Sequence, residues 1–252
     1  DKLKIEFMTS PYSLNIVDEI NKFVKAIKIG SGDITWLDII KKIARKKKVG
    51  ILATGASSIS EVKLAVKAYQ KHNKSLVLMQ CNTNYTGDEK NIKYVNLNVL
   101  KKYRKLFPRV ILGLSDHTFG HTAVLGAVTL GARVIEKHFT DNNKRLGPDH
   151  YFAMNPKTWK KMVDITRELE LALGDGVKKV EKNELSTIVV QRRSIRVRKN
   201  LKANTIIKER DLEYLRPCPK NALRPSEKKL ILNKKLKRSL KRHDLICVKD
   251  VK

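Results

Sequence analysis

The chain has 252 residues and carries 54 Lys or Arg against 25 Asp or Glu, a formal net charge of +29. Its 41% apolar content suffices for a folded core, and the 6% aromatic share makes that core aliphatic. No run approaches the ~20 apolar residues of a membrane span and the opening DKLKIEFMTSPY holds no signal-peptide h-region, so a soluble, cytoplasmic protein is expected.

LKIEFMTS (Leu3–Ser10) reads as a strand, followed by a helix over Leu14–Val24. AIKIGS (Ala26–Ser31) is a second strand, and the helix after it places Leu37, Ile40 and Ile43 on one face. VGILAT (Val49–Thr54) is a third. Its helix opens with Ser58 and has Glu61 three positions on, a capping box, then sets Ile59, Val62, Val66 and Tyr69 at helical spacing. SLVLMQC (Ser75–Cys81) is a fourth strand. Val110–Leu114, a small-residue helix over Thr122–Leu130, and Arg133–Ile135 make a strand–helix–strand unit, and polar runs beginning at Ser115 and Glu136 close its two strands. Asn155 caps and Pro156 begins a long helix whose inward face holds Trp159, Met162, Val163, Thr166, Leu169 and Leu173, and Gly174 ends it.

Six strands alternating with helices, each closed by polar residues, predict an α/β fold of the (β/α)8 TIM-barrel type. A Rossmann sheet would need a Gly-rich turn after a strand, and none is present. Six units do not close an eight-stranded barrel, so roughly the first two βα units are expected to be absent from this sequence. The barrel part is expected over 1–174, a polar linker over 175–186 and a small β-rich domain over 187–252. LKANTIIKERDL (Leu201–Leu212) aligns with LKRHDLICVKDV (Leu240–Val251), a shift of 39 from Leu201 to Leu240. That repeat predicts a duplicated, loop-rich domain with pseudo-twofold symmetry.

Cys81, Cys218 and Cys247 show neither zinc spacing nor a disulfide framework, which fits a reducing compartment. The net charge alone points to nucleic acid or an anionic surface. The lysines, however, are spread over the expected helix faces and turns, and KKIARKKK and KKLKRSLKRH lack interleaved aromatics. A solvated basic surface with weak, non-specific polyanion binding at low salt is expected, with no specific nucleic-acid partner and no membrane partner.

In parallel α/β folds functional groups gather at the carboxyl ends of strands. His117 and His138 stand at such ends on neighbouring strands, with Ser115, Asp116, Glu136 and Asp149 nearby. Neutral imidazoles there suit a divalent metal that keeps positions open for substrate; the competing reading is two hydrogen-bonded structural histidines. His121 is left out of the pair because Gly120 and the strand-to-helix turn separate it from His117. Lys28, Ser31 and Asp33 in KIGSGD join a cation to glycines that let backbone N–H groups approach an anion. Thr54 and Gly55 in ATGAS precede a helix N-terminus, which also favours anions. Ordinary turns are the alternative for both. QCNTNYTG (Gln80–Gly87) offers amides, hydroxyls and a phenol to a sugar, or is a plain polar loop.

KIGSGD, ILATGAS, QCNTNYTG, GLSDHT, IEKHFTDNNKRLGPDH and the basic C-terminal part occur in the order found in the sialic acid synthases. The chain resembles that family, which includes the N-acetylneuraminate, legionaminate and pseudaminate synthases, over essentially its whole length. The resemblance implies a TIM barrel followed by an antifreeze-like SAF domain, in a domain-swapped homodimer where each small domain covers the partner's active site. It implies condensation of phosphoenolpyruvate with an N-acylated hexosamine, such as N-acetylmannosamine, to a nine-carbon 2-keto acid with release of phosphate. By the same resemblance His117 and His138 ligate Mn2+ or Mg2+, and Lys28, Ser31, Thr54 and Ser115 contact phosphoenolpyruvate. Asp33 stands where many members have the glutamate that handles the water or its proton. Thr83, Tyr85 and Asp149 match sugar contacts, and Arg216 in YLRP matches the arginine that reaches the N-acyl group from the partner chain.

The chain departs from the family pattern in three places. Asp33 is one methylene shorter than glutamate, and Ala53 replaces a serine common among members. The family's first two strands, with a glutamate and a lysine that contact phosphoenolpyruvate, are not in this sequence, so the chain alone is expected to be inactive or poorly folded and its full-length parent active. A non-catalytic scaffold whose SAF-type module binds ice or a polyanion is the reading from another class; dense Lys and Arg argue against an ice-binding face. Another phosphoenolpyruvate-dependent, aldolase-like barrel would share the metal and phosphate logic but leaves the small domain with Arg216 unexplained.

Overall fold

Five short runs rich in Ile, Val and Leu become the strands of one parallel sheet, ordered as they occur in the chain. They are β1 (Ala26–Ile29), β2 (Val49–Ala53), β3 (Leu76–Cys81), β4 (Ile111–Asp116) and β5 (Ala132–Lys137). The connecting helices are α2 (Leu37–Arg45), α3 (Ile59–Gln70), α4 (Val99–Leu106) and α5 (Thr122–Thr129), with α1 (Leu14–Ile20) before and α6 (Pro156–Leu173) after. The structure, a computed structural model, describes residues 4–252. They divide into two compact units, the first ending at Asp175 and the second running over Gly176–Lys252. No helix among the described residues is long and apolar enough to cross a membrane.

Side chains along a strand alternate between faces, and here the two faces have separate cores. Ile27, Ile29, Leu52, Leu78, Leu112 and Leu114 pack with the buried stripes of the helices. Ala26, Ile51, Val77, Met79 and Val134 form a smaller cluster on the other face. That second face is concave. In a flat sheet, β1 and β5 would stand four strand spacings apart, about 19 Å. Instead Lys28 Nζ on β1 lies 3.2 Å from Glu136 Oε1 on β5. The sheet is therefore curled into a half-barrel whose outermost strands meet through their side chains.

Local signals account for most element ends. Ser58 and Glu61 form the expected capping box on α3, and Asn155 caps α6 reciprocally with Thr158 ahead of Pro156. Other expectations need correction. Leu3 lies outside the described residues, and of the strand expected there only Thr9 pairs, through a single parallel bridge to Ile27. Ile5, Phe7 and Met8 are exposed, so no inward face organises that segment. The first helix stops at Ile20, a turn short of Val24. Helix α4 is not among the expected elements: VLKKYRKL carries four lysines or arginines beyond its two buried residues, Leu100 and Tyr103. On α6 only Met162 is fully buried. Trp159 and Leu169 pack beside it, while Val163 and Leu173 stay exposed.

In the second unit, short 3-10 turns and isolated bridges outnumber regular strands. A helix α7 (Leu185–Gln191) precedes a two-stranded antiparallel ribbon, β6 (Ser194–Val197) with β7 (Leu212–Leu215). The repeat seen in the sequence is a true pseudo-twofold in space. Leu201 and Leu240 exchange backbone hydrogen bonds of 2.8 Å across the axis. Asn204 N donates to Leu236 O as His243 N donates to Val197 O, and Asn204 and His243 both have positive φ, 68° and 70°. Asp211 accepts from Lys208 N and pairs with Lys199; Asp250 accepts from Cys247 N and pairs with Arg238.

Candidate active site

The concave face ends in a polar layer. Two residues beyond Ala26, Met79 and Val134 on their strands come Lys28, Cys81 and Glu136, and Ser115 is level with Cys81 and Glu136 in the parallel register. Glu136 Oε1 accepts from Ser115 Oγ at 2.9 Å while paired with Lys28. Two residues further along each strand, His117 and His138 face each other with ring centroids 5.1 Å apart. Tyr85 sets its edge against both, at 4.4 and 5.6 Å, and Phe152 closes over His138 at 5.1 Å.

Each imidazole is oriented through its Nδ1. That of His117 lies 2.9 Å from the carbonyl oxygen of Asn82, with Cys81 Sγ at 3.9 Å. That of His138 lies 3.5 Å from Asp149 Oδ2. A neutral ring whose Nδ1–H faces an oxygen presents the lone pair of Nε2, the arrangement that supports metal-binding histidines. The donor set thus fits a two-histidine divalent site whose remaining positions belong to water and substrate. Among the described residues no group of three or more His, Cys, Asp or Glu is arranged around one metal position.

The two rings titrate apart. Burial and the neighbouring His117 hold His138 below the usual histidine value. Burial pulls His117 the same way, but the Cys81 side chain, the Asn82 carbonyl and Asp116 outweigh it and raise His117. Burial, then Cys81, Glu136 and Asp149 raise the Tyr85 phenol, keeping it a hydrogen-bond donor beside the two rings.

Three strand ends converge next to the histidines. Gly55 N donates to Ser31 Oγ at 2.9 Å. A Cβ at Gly55 would fall 1.6 Å from Thr83 Oγ1, so only glycine lets Thr83 approach this closely. The structure thus brings together Lys28, Ser31, Thr83, Tyr85, Ser115, His117, His138 and Asp149. It does not bring Thr54 into that layer. Thr54 alternates to the helix side, donates to Met79 O and accepts from Tyr103 OH on α4. Its neighbour Gly55 is the residue of that turn that reaches the layer, through Ser31. Asp33 sits in a short 3-10 turn with Oδ2 against Gly30 and hydrogen-bonds to none of these side chains. In the second unit, Arg216 Nε donates to Gln191 O. Glu136, which the sequence offers only as a carboxylate near the two histidines, is a full member of the cluster through Lys28 and Ser115; the period-two series Val134, Glu136, His138 is the signal that places it there.

Residues 1–178 match the model of the NeuB family. The chain belongs to the NeuB family. It is 36% identical over 221 residues to the N,N'-diacetyllegionaminic acid synthase of Campylobacter jejuni, covering 86% of this chain and 65% of that protein. It is 32% identical over 254 residues to the pseudaminic acid synthase of Helicobacter pylori, covering 99% and 72%. Among solved structures it resembles an N-acetylneuraminic acid synthetase from Leptospira borgpetersenii in complex with citrate, at a TM-score of 0.67 and 29% identity over 74% of this chain and 65% of that one. This NeuB-family chain therefore spans roughly two thirds to three quarters of the length of such enzymes.

Proposed function

We propose that this chain carries the reaction centre of a sialic-acid-type synthase, which joins phosphoenolpyruvate to an N-acylated hexosamine and releases phosphate. The observation that supports this best is the layered interior: an anion-binding set, Lys28 and Ser115, two residues below two histidines whose Nε2 atoms are available to a ligand. Mn2+ or Mg2+ held by His117 and His138 would supply Lewis-acid polarisation of the sugar aldehyde. Lys28 and the hydroxyls of Ser115 and Ser31 hold the phosphoryl and carboxylate groups through charge-assisted hydrogen bonds. Thr83, Tyr85 and Asp149 orient the open-chain sugar beside the histidines. The methylene carbon of phosphoenolpyruvate bonds to the aldehyde carbon, whose oxygen takes up a proton. Water adds at C2 and passes a proton to Asp33, and the C2–O bond then breaks with phosphate taking the electron pair. In this reading the second unit is an SAF-type domain that delivers Arg216 to the partner's sugar site in a domain-swapped homodimer working in the cytoplasm. The test is phosphate release from phosphoenolpyruvate by the complete gene product carrying this chain, offered a panel of N-acylated hexosamines with Mn2+ or with EDTA. Release with at least one acceptor, lost on chelation, is expected; no release with any acceptor overturns the reading.

Glu136 shares Lys28 and Ser115 with the incoming anion. Replacing it with glutamine frees both groups, although the pair is partly exposed and solvent screens it. Glu136→Gln is expected to bind inorganic phosphate about tenfold more tightly, roughly 1.4 kcal/mol. Isothermal titration would read this directly, and equal affinity would mean that Glu136 does not compete for the site.

A further inference from the structure

The last rung of the β4–β5 ladder joins Asp116 to Lys137, the residues immediately before His117 and His138. Strand alternation turns these two side chains away from the concave face, out of water: they meet at 2.7 Å with 0% and 2% of their side-chain surface exposed. Asp116 Oδ1 also accepts from the backbone N and the hydroxyl of Thr118, at 2.9 and 2.8 Å. Lys137 Nζ donates a further bond to the Thr118 carbonyl oxygen. One ammonium on the strand that leads to His138 therefore grips both residues flanking His117.

We propose that Asp116 and Lys137 are positioning residues which fix the separation and facing of the two imidazoles. This rests on the reading of those imidazoles as a divalent-metal site. A buried ion pair is a poor device for stability alone, because removing two charges from water costs about as much as their attraction returns, and a well-packed apolar pair often does as well or better. An apolar pair has no direction, however. It cannot hold the 116–118 turn by its carbonyl and its N–H at once, as this pair does. Partners behind metal-binding histidines typically govern metal affinity by about 10–100-fold, and this pair acts on both histidines through their own backbone.

The experiment compares wild type, Lys137→Met and the double variant Asp116→Leu/Lys137→Met in the complete gene product, by thermal unfolding and by Mn2+ binding followed through the electron paramagnetic resonance of free Mn2+. The single variant strands a buried carboxylate and is expected to melt far below wild type. The double variant is expected to melt within a few degrees of wild type yet to bind Mn2+ about tenfold or more weakly. Wild-type affinity in a folded double variant would overturn the proposal. If wild type itself binds no Mn2+, the metal reading falls. The positioning claim is then decided by imidazole NMR, where loss of the His117 Nδ1–H hydrogen-bond signal in the double variant supports it and retention refutes it. Should the double variant not fold, Thr118→Val keeps the ion pair but removes one bond; about threefold weaker Mn2+ binding at an unchanged melting temperature is expected, and no change counts against the proposal.

Discussion

Replacing His117 with alanine is expected to lower metal-dependent phosphate release by at least about 1,000-fold, which is ~4 kcal/mol of lost transition-state stabilisation, while the fold survives. The ring is buried, and its Nδ1 faces the Asn82 carbonyl. Its loss leaves that carbonyl unpaired and opens a small cavity beside Cys81 and Tyr85. An unsatisfied buried acceptor costs about 1–3 kcal/mol, enough to lower the melting temperature by several degrees but not to unfold a chain with two independent cores on either face of the sheet. Turnover is different, because His138 alone cannot hold a catalytic ion against water. Parallel measurement of phosphate release, Mn2+ affinity and melting temperature separates the two effects. Near-normal turnover in a folded variant would remove His117 from the metal site.

A large loss of stability is also expected at a glycine remote from the site. A Cβ at Gly50 on β2 would fall 2.4–2.5 Å from the ring of Tyr69. That ring is fully buried and cannot withdraw. Its phenol oxygen lies 3.0 Å from the Lys48 carbonyl and 3.2 Å from that of Ser75, and accepts from Asn73. Burial pushes the phenol up to about 12, against the lowering effect of its hydrogen bonds to Gly50 and Asn73. Gly50→Ala must therefore displace a ring that α3 clamps against β2, and overpacking of this kind costs about 3 kcal/mol. The added loss of hydrogen bonds raises the figure further. Urea denaturation would read the difference as a lower midpoint at an unchanged slope, and a loss under ~1 kcal/mol would mean that the ring has room to move.

Much of the barrel is legible in the sequence, because its signals are local. Continuous apolar runs mark the five strands of the sheet, and Ser58 with Glu61 and Asn155 with Pro156 mark two helix starts. His117 and His138 were recognisable because each follows an apolar strand directly. What escaped was set by curvature and register. Lys28 and Glu136 are more than 100 positions apart and meet only because the sheet curls. Asp116 and Lys137 are partners only once β4 and β5 are aligned residue for residue. Thr54 lies on the helix side of the sheet for the same reason: a one-residue difference in phase sends a side chain to the opposite face. Helix α4 was hidden by lysines whose stems lie along a helix that contributes only two residues to the core.

The pseudo-twofold of the second unit has a bearing on how that unit came to exist and how it fails. Its central bonds run from one repeat to the other, Leu201 to Leu240 and back, Asn204 to Leu236, His243 to Val197. Every one of them would be equally well made between two separate copies of a single repeat. Joining the copies in one polypeptide turns such a dimer into an intramolecular partnership, with an effective concentration in the millimolar range set by a short connection. Neither repeat keeps its ladder closed without the other, so the halves must form and melt as one cooperative event.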